Sequence, residues 1–192
     1  MYVDIHTHRP TGLHIEPSAA GIHPWEAGSG DIDGVLRQLR EVQAAGEIGL
    51  DFLRGPSREK QEEVLRMQLA AAERLGRPVV LHCVRAFEPM MKILGDYTLR
   101  AVIFHGFTGS PEQARRAVQR GYLLSFGLRS LRSPKTVEAL RQTPVENIFA
   151  ETDDDPAPIE EAYVRIAEVK ELTIGELQAA LLKNYDQIFD RR

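Results

Sequence analysis

Residues 58–82 read REKQEEVLRMQLAAAERLGRPVVLH, and this stretch decides the fold class. From position 58 to 75 the apolar residues approximate the helical period, which predicts an amphipathic helix. These residues are Val64, Leu65, Leu69, Ala72 and Leu75. Gly-Arg-Pro at 76–78 separates the helix from the apolar run 79–81, which is typical of a buried parallel strand. A helix followed directly by such a strand indicates an α/β fold.

Short β-prone runs alternate with helical patterns on both sides of this stretch. The candidate strands are residues 2–6, 19–22, 45–50, 78–82, 101–105, 121–126 and 147–151. One further helix is predicted to begin at Ser110-Pro111, and a closing helix is predicted over 173–189, with Thr173 as its cap and Glu176 at the capping-box position. The alternation implies parallel strands joined by helical crossovers.

The length of the chain restricts the kind of α/β fold. An ordinary eight-fold barrel takes about 250 residues, whereas this chain has 192. The shortfall lies at residues 9–18, where two prolines and a glycine leave no room for a full helix. We therefore predict a shortened TIM-like (β/α) barrel with about seven clear parallel strands, and allow an irregular eighth at 13–15. An open doubly wound sheet is the alternative. One domain is expected over 1–192.

Composition narrows the function classes. A formal charge of −4 argues against a protein whose main role is to hold duplex nucleic acid on a large basic surface. It does not exclude a nuclease, because a metal ion itself supplies much of the field that acts on phosphate. The single cysteine, Cys83, cannot form an internal disulfide. No apolar run approaches the roughly 18 to 20 residues of a bilayer span. We expect a cytoplasmic protein without membrane contact or an obligate protein partner.

Most of the histidines lie at or just beyond the carboxyl ends of predicted strands, the face on which barrel enzymes place their sites. His6 and His8 are two residues apart, so their side chains point to the same side if the strand continues through them. His82 and His105 each end an apolar run. Any one such histidine is more often a hydrogen-bonded rim residue than a ligand, but four at the same end favour a metal site.

Two carboxylates complete this set. Glu47 lies within the third candidate strand, and Asp153 lies just after the end of the last one. Mixed imidazole and carboxylate ligands suit zinc, manganese or iron better than calcium. Six ligands exceed what one tetrahedral zinc ion uses, so we predict two ions, bridged by Glu47. Such pairs suit displacement at phosphorus or carbonyl centres. The predicted metal ligands are His6, His8, Glu47, His82, His105 and Asp153.

Three further residues are candidates for substrate binding. His23, in Gly-Ile-His-Pro at 21–24, is placed near the substrate, although a packed loop histidine is an equal alternative. Arg85 lies just beyond His82, and Arg129 lies in the loop after the sixth candidate strand. Either arginine could hold phosphate, while solvated surface charges are the more common case for the loop.

Three other side chains have predicted roles next to these. Asp51 and Glu151 share strand parity with Glu47 and Asp153, which favours a role in orienting ligands. Cys83 could pair with His82 as a nucleophile, but adjacent strand residues point to opposite faces, so a buried apolar role is favoured for the thiol.

The sequence resembles the TatD family of metal-dependent deoxyribonucleases, which belongs to the amidohydrolase-type barrels. The resemblance rests on motifs that occur in order over nearly the whole chain. They are Asp-Ile-His-Thr-His at 4–8, Gly-Ile-His-Pro at 21–24, Gly-Glu-Ile-Gly-Leu-Asp at 46–51, Pro-Val-Val-Leu-His at 78–82, Phe-His-Gly-Phe-Thr-Gly-Ser at 104–110, Glu-Thr-Asp at 151–153, and a terminal Asn184 to Phe189.

The resemblance implies two divalent ions (Mg, Mn or Zn) on the six ligands, with Asp153 and Glu47 as the catalytic carboxylates and Asp153 helping to activate water. It implies DNA as the substrate, as single strands or frayed ends. Asp154 and Asp155 depart from the family pattern of a single residue before proline, and their charge disfavours a polyanion. A small-molecule amidohydrolase or phosphoesterase with the same metal site is the alternative, and a non-catalytic, metal-stabilised binding module ranks third.

Overall fold

The computed structural model describes residues 1–189, which form two compact α/β units. The central unit is Ser18–Phe104. The terminal unit consists of Met1–Pro17 and residues 105–189. The expectation of one domain over 1–192 stays a prediction. Within residues 1–189, no helix has the length and apolar character needed to cross a membrane.

Parallel strands and three helices build the central unit. Its strands pair in the order β1-β2-β3-β4. Their bounds are Ala19–Ala20 (β1), Ala44–Asp51 (β2), Val79–Val84 (β3) and Val102–Phe104 (β4). The helices are Ile32–Gln38 (α1), Arg58–Leu75 (α2) and Phe87–Leu94 (α3). The predicted helix over 58–75 is confirmed, and it ends at Gly76, whose φ of 61° is one that glycine adopts easily.

Up to residue 189, the terminal unit combines one strand pair with four α-helices. Its strands Leu123–Phe126 (β5) and Ile148–Ala150 (β6) are parallel. The helices are Pro111–Gln119 (α4), Pro134–Gln142 (α5), Ile159–Lys170 (α6) and Ile174–Ile188 (α7). Both predicted starts are confirmed: Ser110 and Thr173 form capping boxes with the side chains three residues later.

The strand predicted over residues 2–6 is the one that the structure corrects. This segment forms only isolated bridges, Val3 to Ile15 and Thr7 to Asp153. Its amides donate to different segments, Asp4 N to Ile15 O at 2.9 Å and Ile5 N to Ala150 O at 3.1 Å. Because the partner changes at every step, no continuous ladder forms. The irregular eighth strand allowed at 13–15 is reduced to the single bridge at Ile15.

The pairing of β2 with β3 depends on a glycine. Gly49 lies opposite His82 in the register, with a φ of 152°. A Cβ atom on Gly49 would lie 1.9 Å from the carbonyl oxygen of His82. Only glycine permits the two strands to come this close. The close pairing brings Glu47 and His82 to the same end of the strand pair.

Candidate functional site

Three ligand atoms converge in the central unit. Nε2 of His23 lies 3.2 Å from Oε1 of Glu47 and 3.3 Å from Nδ1 of His82. Nδ1 of His82 lies 2.5 Å from the same carboxylate oxygen of Glu47. We call these three residues the central group. Their atoms are two imidazole nitrogens and one carboxylate oxygen, a donor set that suits a transition-metal ion.

Regular strands and a helix fix the central group. Glu47 lies on β2 and His82 on β3, so their positions follow from strand pairing. His23 precedes a short 3-10 helix, Pro24–Glu26, and its Nδ1 accepts from Trp25 N at 3.3 Å. Gln68 of α2 holds the preceding Ile22, accepting from its N at 2.6 Å and donating to its O at 3.2 Å. The backbone next to His23 is therefore anchored to a helix.

A buried carboxylate, Asp51, holds the other ring nitrogen of His82. Oδ2 of Asp51 lies 3.3 Å from Nε2 of His82 and accepts from Nε1 of Trp25 at 2.7 Å. Burial raises the pKa of Asp51, but hydrogen bonds from Trp25, Leu53 and His82 outweigh it and leave that pKa below its usual value. With Nε2 held by Asp51, Nδ1 of His82 is the nitrogen that faces Glu47.

A second set of ligand atoms lies in the terminal unit. Oδ1 of Asp153 is 3.4 Å from Nε2 of His8 and 3.7 Å from Nε2 of His6. We call these three residues the terminal group. Asp153 N donates to His6 O at 2.9 Å, and His8 N donates to Asp153 O at 2.9 Å. Asp153 has a φ of 56°, in the left-handed region that aspartate tolerates better than most residues.

Asp4 supports the turn that carries Asp153. Its carboxylate accepts from Thr152 N at 3.0 Å and from Thr152 Oγ1 at 2.6 Å, and this hydroxyl also lies 2.9 Å from Oγ1 of Thr7. Burial raises the pKa of Asp4 to about 6 despite the hydrogen bonds from Thr152. The two segments of the terminal group are thus joined by side chains as well as by backbone.

His105 lies beside the terminal group. Its ring centroid is 4.5 Å from that of His6. Nδ1 of His105 is 3.7 Å from the carboxylate of Glu151, which accepts from Gly106 N at 2.6 Å. Burial raises the pKa of Glu151, but the interactions with His105 and His6 outweigh burial and leave that pKa below its usual value. Asp51 and Glu151 therefore both contact a predicted histidine ligand, as their strand parity indicates.

The spacings in both groups can be compared with those around a divalent ion. Ligand atoms at about 2.1 Å from a tetrahedral zinc ion are about 3.4 Å apart. The two contacts of His23 in the central group, at 3.2 and 3.3 Å, and the contact between His8 and Asp153, at 3.4 Å, match that spacing. The contact between His82 and Glu47, at 2.5 Å, is a hydrogen-bond distance, so these two atoms must separate to hold an ion. The structure thus brings together His6, His8 and Asp153 in one unit and Glu47 and His82 in the other. The assignment of all six predicted ligands remains a prediction.

The predicted substrate-binding residues have different surroundings. His23 belongs to the central group. Arg85 is exposed directly after β3, with a φ of 54°. Arg129 forms ion pairs with Asp154 and, at 3.7 Å, with Asp155. Burial raises the pKa of Cys83 to about 12, so this thiol stays protonated at neutral pH and is no nucleophile.

Several residues that shape the site were not singled out from the sequence. Trp25, Gln61 and Gln68 are among them, and the glutamines had a visible signal. Both lie on the apolar face of α2, seven residues apart, and both are buried. Polar side chains at such positions are expected to bond to buried backbone. Gln61 does this at Asp51, accepting from Asp51 N at 2.7 Å and donating to Asp51 O at 2.9 Å.

Parallel strands with helical crossovers and groups of histidine and carboxylate ligands define the class of metal-dependent hydrolases with a TIM-like (β/α) barrel fold. Comparison with known proteins narrows this class. The family model described as TatD related DNase matches residues 15–190. The chain belongs to this family. It is accordingly a hydrolase that acts on ester bonds.

Individual relatives agree with this assignment. The chain is 31% identical to the uncharacterized metal-dependent hydrolase YabD of Bacillus subtilis, over 80% of this chain and 68% of that protein. It is 38% identical to a protein of Pantoea ananatis named 3′-5′ ssDNA/RNA exonuclease TatD, over 71% of this chain and 56% of that protein. The crystal structure of YjjV, a TatD homologue from Escherichia coli, matches with a TM-score of 0.81 at 30% identity, covering 92% of this chain and 78% of that one.

Proposed function

We propose that this protein is a nuclease that hydrolyses phosphodiester bonds of DNA at single-stranded or frayed ends, with two divalent ions. The observation that carries the proposal is that each unit holds imidazole and carboxylate ligand atoms close together, with His6, His8 and Asp153 in the terminal unit and Glu47 and His82 in the central unit. The name of the Pantoea ananatis relative supports single-stranded nucleic acid as the substrate class. The proposed metal ligands are His6, His8, Glu47, His82, His105 and Asp153.

The carboxylates have separate tasks in this mechanism. A divalent ion held by the proposed ligands would supply polarisation of a phosphoryl oxygen and a lowered pKa of a water molecule. Asp153 accepts the proton of the attacking water on its carboxylate. The backbone of Asp153 is fixed by two hydrogen bonds, one donated to His6 O and one accepted from His8 N. Glu47, with its side chain 7% exposed, lies beside His82 and His23, where its carboxylate would stabilise a bound cation.

Three residues are proposed to bind the substrate. Arg129 binds a phosphate after giving up its exposed ion pair with Asp154, which is only weakly stabilising in water. Arg85 binds a second phosphate from its position after β3. His23 contacts the scissile phosphate from within the central group.

A phosphoesterase or amidohydrolase acting on a small molecule is the second candidate. The observation that favours it is the acid pair Asp154 and Asp155 on Arg129, which opposes a polyanion at this point of the terminal unit. The same ligands would serve carbonyl chemistry. A cytoplasmic location is part of the proposal for either candidate.

A substrate panel separates the two candidates. We expect the wild-type protein with Mg²⁺ or Mn²⁺ to shorten a labelled single-stranded oligonucleotide faster than it hydrolyses simple esters, amides or phosphomonoesters. Asp153→Asn should abolish the cleavage, and Asp33→Asn, an exposed aspartate in the first turn of α1, should leave it unchanged. Metal-dependent turnover confined to small molecules would overturn the nuclease and support the second candidate.

A further inference from the structure

An exposed tryptophan lies next to the central group. Trp25 is the single tryptophan of the chain, and it is 46% exposed. Its ring lies 4.6 Å from the ring of His23 and 6.1 Å from that of His82, measured between centroids. A large apolar ring that remains half-exposed beside such a group is a binding-surface candidate.

The ring of Trp25 is held in one orientation. Its Nε1 donates to Oδ2 of Asp51 at 2.7 Å, and both histidine rings meet it nearly at right angles, with interplanar angles of 81° and 76°. A ring fixed by a buried carboxylate loses little conformational freedom when a ligand binds. Its apolar surface is therefore preorganised.

One face of this ring is covered by a displaceable charge. The guanidinium of Arg54 lies over the Trp25 ring, 5.1 Å from the centroid, and Arg54 is exposed. An exposed cation–π contact contributes a factor of about two to five in an equilibrium. Stacking of a nucleobase on an aromatic side chain contributes a factor of about five to 150 in Kd. A nucleobase that stacks on Trp25 would therefore displace the guanidinium of Arg54. The guanidinium could then bind a phosphate of the same strand.

We propose that Trp25 is a stacking platform for a nucleobase of the single-stranded substrate, and that Arg54 moves from the ring to a neighbouring phosphate. This inference rests on the proposed nuclease function and specifies how the base is held. A base stacked on Trp25 brings its own phosphate towards Glu47 and His82, because the ring contacts both histidines of the central group. Stacking is tolerant of sequence, since every base has a π face.

Tryptophan fluorescence provides a direct test, because the chain has one tryptophan. Asp153→Asn protein with Mg²⁺ is titrated with a short single-stranded oligonucleotide and with an abasic strand of the same length. We expect saturable quenching by the first strand and less than a fifth of it with the abasic strand. Equal quenching by both strands, or none by a strand that binds, would overturn the proposal.

Two substitutions of Trp25 separate stacking from the hydrogen bond to Asp51. Trp25→Leu removes both and should weaken oligonucleotide binding about 5- to 150-fold by anisotropy, with no effect on the abasic strand. Trp25→Phe retains a stacking ring and should lose less than about fivefold. If wild type binds and cleaves the strand but Trp25→Leu binds it equally well, stacking is wrong and the nuclease stands. If wild type binds no strand at all, the nuclease proposal itself fails.

Discussion

The central and terminal groups have the same ligand chemistry in different surroundings. Glu47 and His82 have side chains that are 7% and 14% exposed, whereas Asp153 and His8 are 31% and 55% exposed. The central pair lies on the paired strands β2 and β3. The terminal group lies on segments joined by isolated bridges and by a turn with a left-handed residue. Regular pairing thus buries Glu47 and His82, whereas the irregular segments bury His6, at 9% exposed, and leave His8 and Asp153 open to water.

This difference has consequences for metal binding. A buried group held by strands loses little order when an ion binds, so we expect the central group to hold its ion more tightly. The terminal group admits water to Asp153, which suits the proton-accepting role proposed for that carboxylate. The four predictions that follow test this contrast, in order of decreasing effect.

The largest effect is expected from Glu47→Gln, which removes the carboxylate of the central group. A metal ion contributes several kcal/mol to stabilising the transition state, so kcat/KM should fall about 10³-fold or more. His8→Asn, which changes an exposed ligand, should lower kcat/KM by a factor at least about ten times smaller than that of Glu47→Gln. Steady-state kinetics, with metal content measured by mass spectrometry, checks both variants. Equal losses would mean that burial does not distinguish the two groups.

The strand pairing of the central unit is tested by Gly49→Ala. The new Cβ would meet the carbonyl oxygen of His82, and the backbone conformation is strained for alanine, so the free energy of unfolding should fall by about 2–4 kcal/mol. Gly175→Ala in α7, where nothing lies within 4 Å, is the matched control and should be neutral or slightly stabilising. Urea unfolding measures both, and a neutral Gly49→Ala would contradict the packing described for β2 and β3.

The buried acids of the two units should respond to pH in opposite directions. The pKa of Asp4 is raised from 3.8 to about 6. Its contribution to the free energy of unfolding is therefore fully present below pH 3.8 and is lost as pH rises through 6. The loss amounts to about 3 kcal/mol of unfolding free energy in metal-free protein, and Asp4→Asn should remove that slope. The pKa of Asp51 is lowered, so its contribution is lost as pH falls, and Asp51→Asn should be most harmful at neutral pH. Parallel pH profiles of the two variants would refute this assignment.

The smallest effect concerns the carboxylates that hold histidine ligands. Asp51→Asn should lower the affinity for Zn²⁺ about 10- to 100-fold, because Nε2 of His82 then no longer faces a negatively charged carboxylate. Glu151→Gln should lower it less, since its contact with His105 is 3.7 Å, longer than the 3.3 Å at His82. Glu168→Gln, in an exposed pair with Arg165, is the control and should leave affinity unchanged. Isothermal titration calorimetry orders the three variants, and a larger effect at Glu151 would reverse the contrast.

Periodic patterns made much of the fold predictable. The apolar spacing in α2, the capping boxes at Ser110 and Thr173, and six of the seven candidate strands could be predicted because each depends on local sequence. The irregular pairing of segment 2–6 could not be predicted. It depends on the residues to which its amides donate, and these lie in other segments of the chain. The TIM-like (β/α) barrel class itself was predicted from the alternation and is confirmed by the likeness to the YjjV structure.

The candidate site was predictable as residue types and not as contacts. Histidines at strand ends indicated ligands, and the structure groups His6 with His8 and Asp153 as expected. The entry of His23 into the central group was not foreseen, because its position depends on the bond between Gln68 and Ile22. The same holds for Trp25, which reaches Asp51 across 26 residues of sequence. Such contacts depend on tertiary packing, which local patterns do not contain.

The measurement that tests the central claim most directly is a metal titration of chelator-treated protein, with oligonucleotide cleavage and bound metal followed together. Wild-type protein should bind two equivalents of Mn²⁺ and regain cleavage of a single-stranded oligonucleotide in parallel, while Asp153→Asn, which leaves the central group intact, should keep the ion of that group without regaining cleavage. Failure of the wild-type protein to bind any divalent ion, or cleavage that is unaffected by the chelator, would contradict a metal-dependent hydrolase.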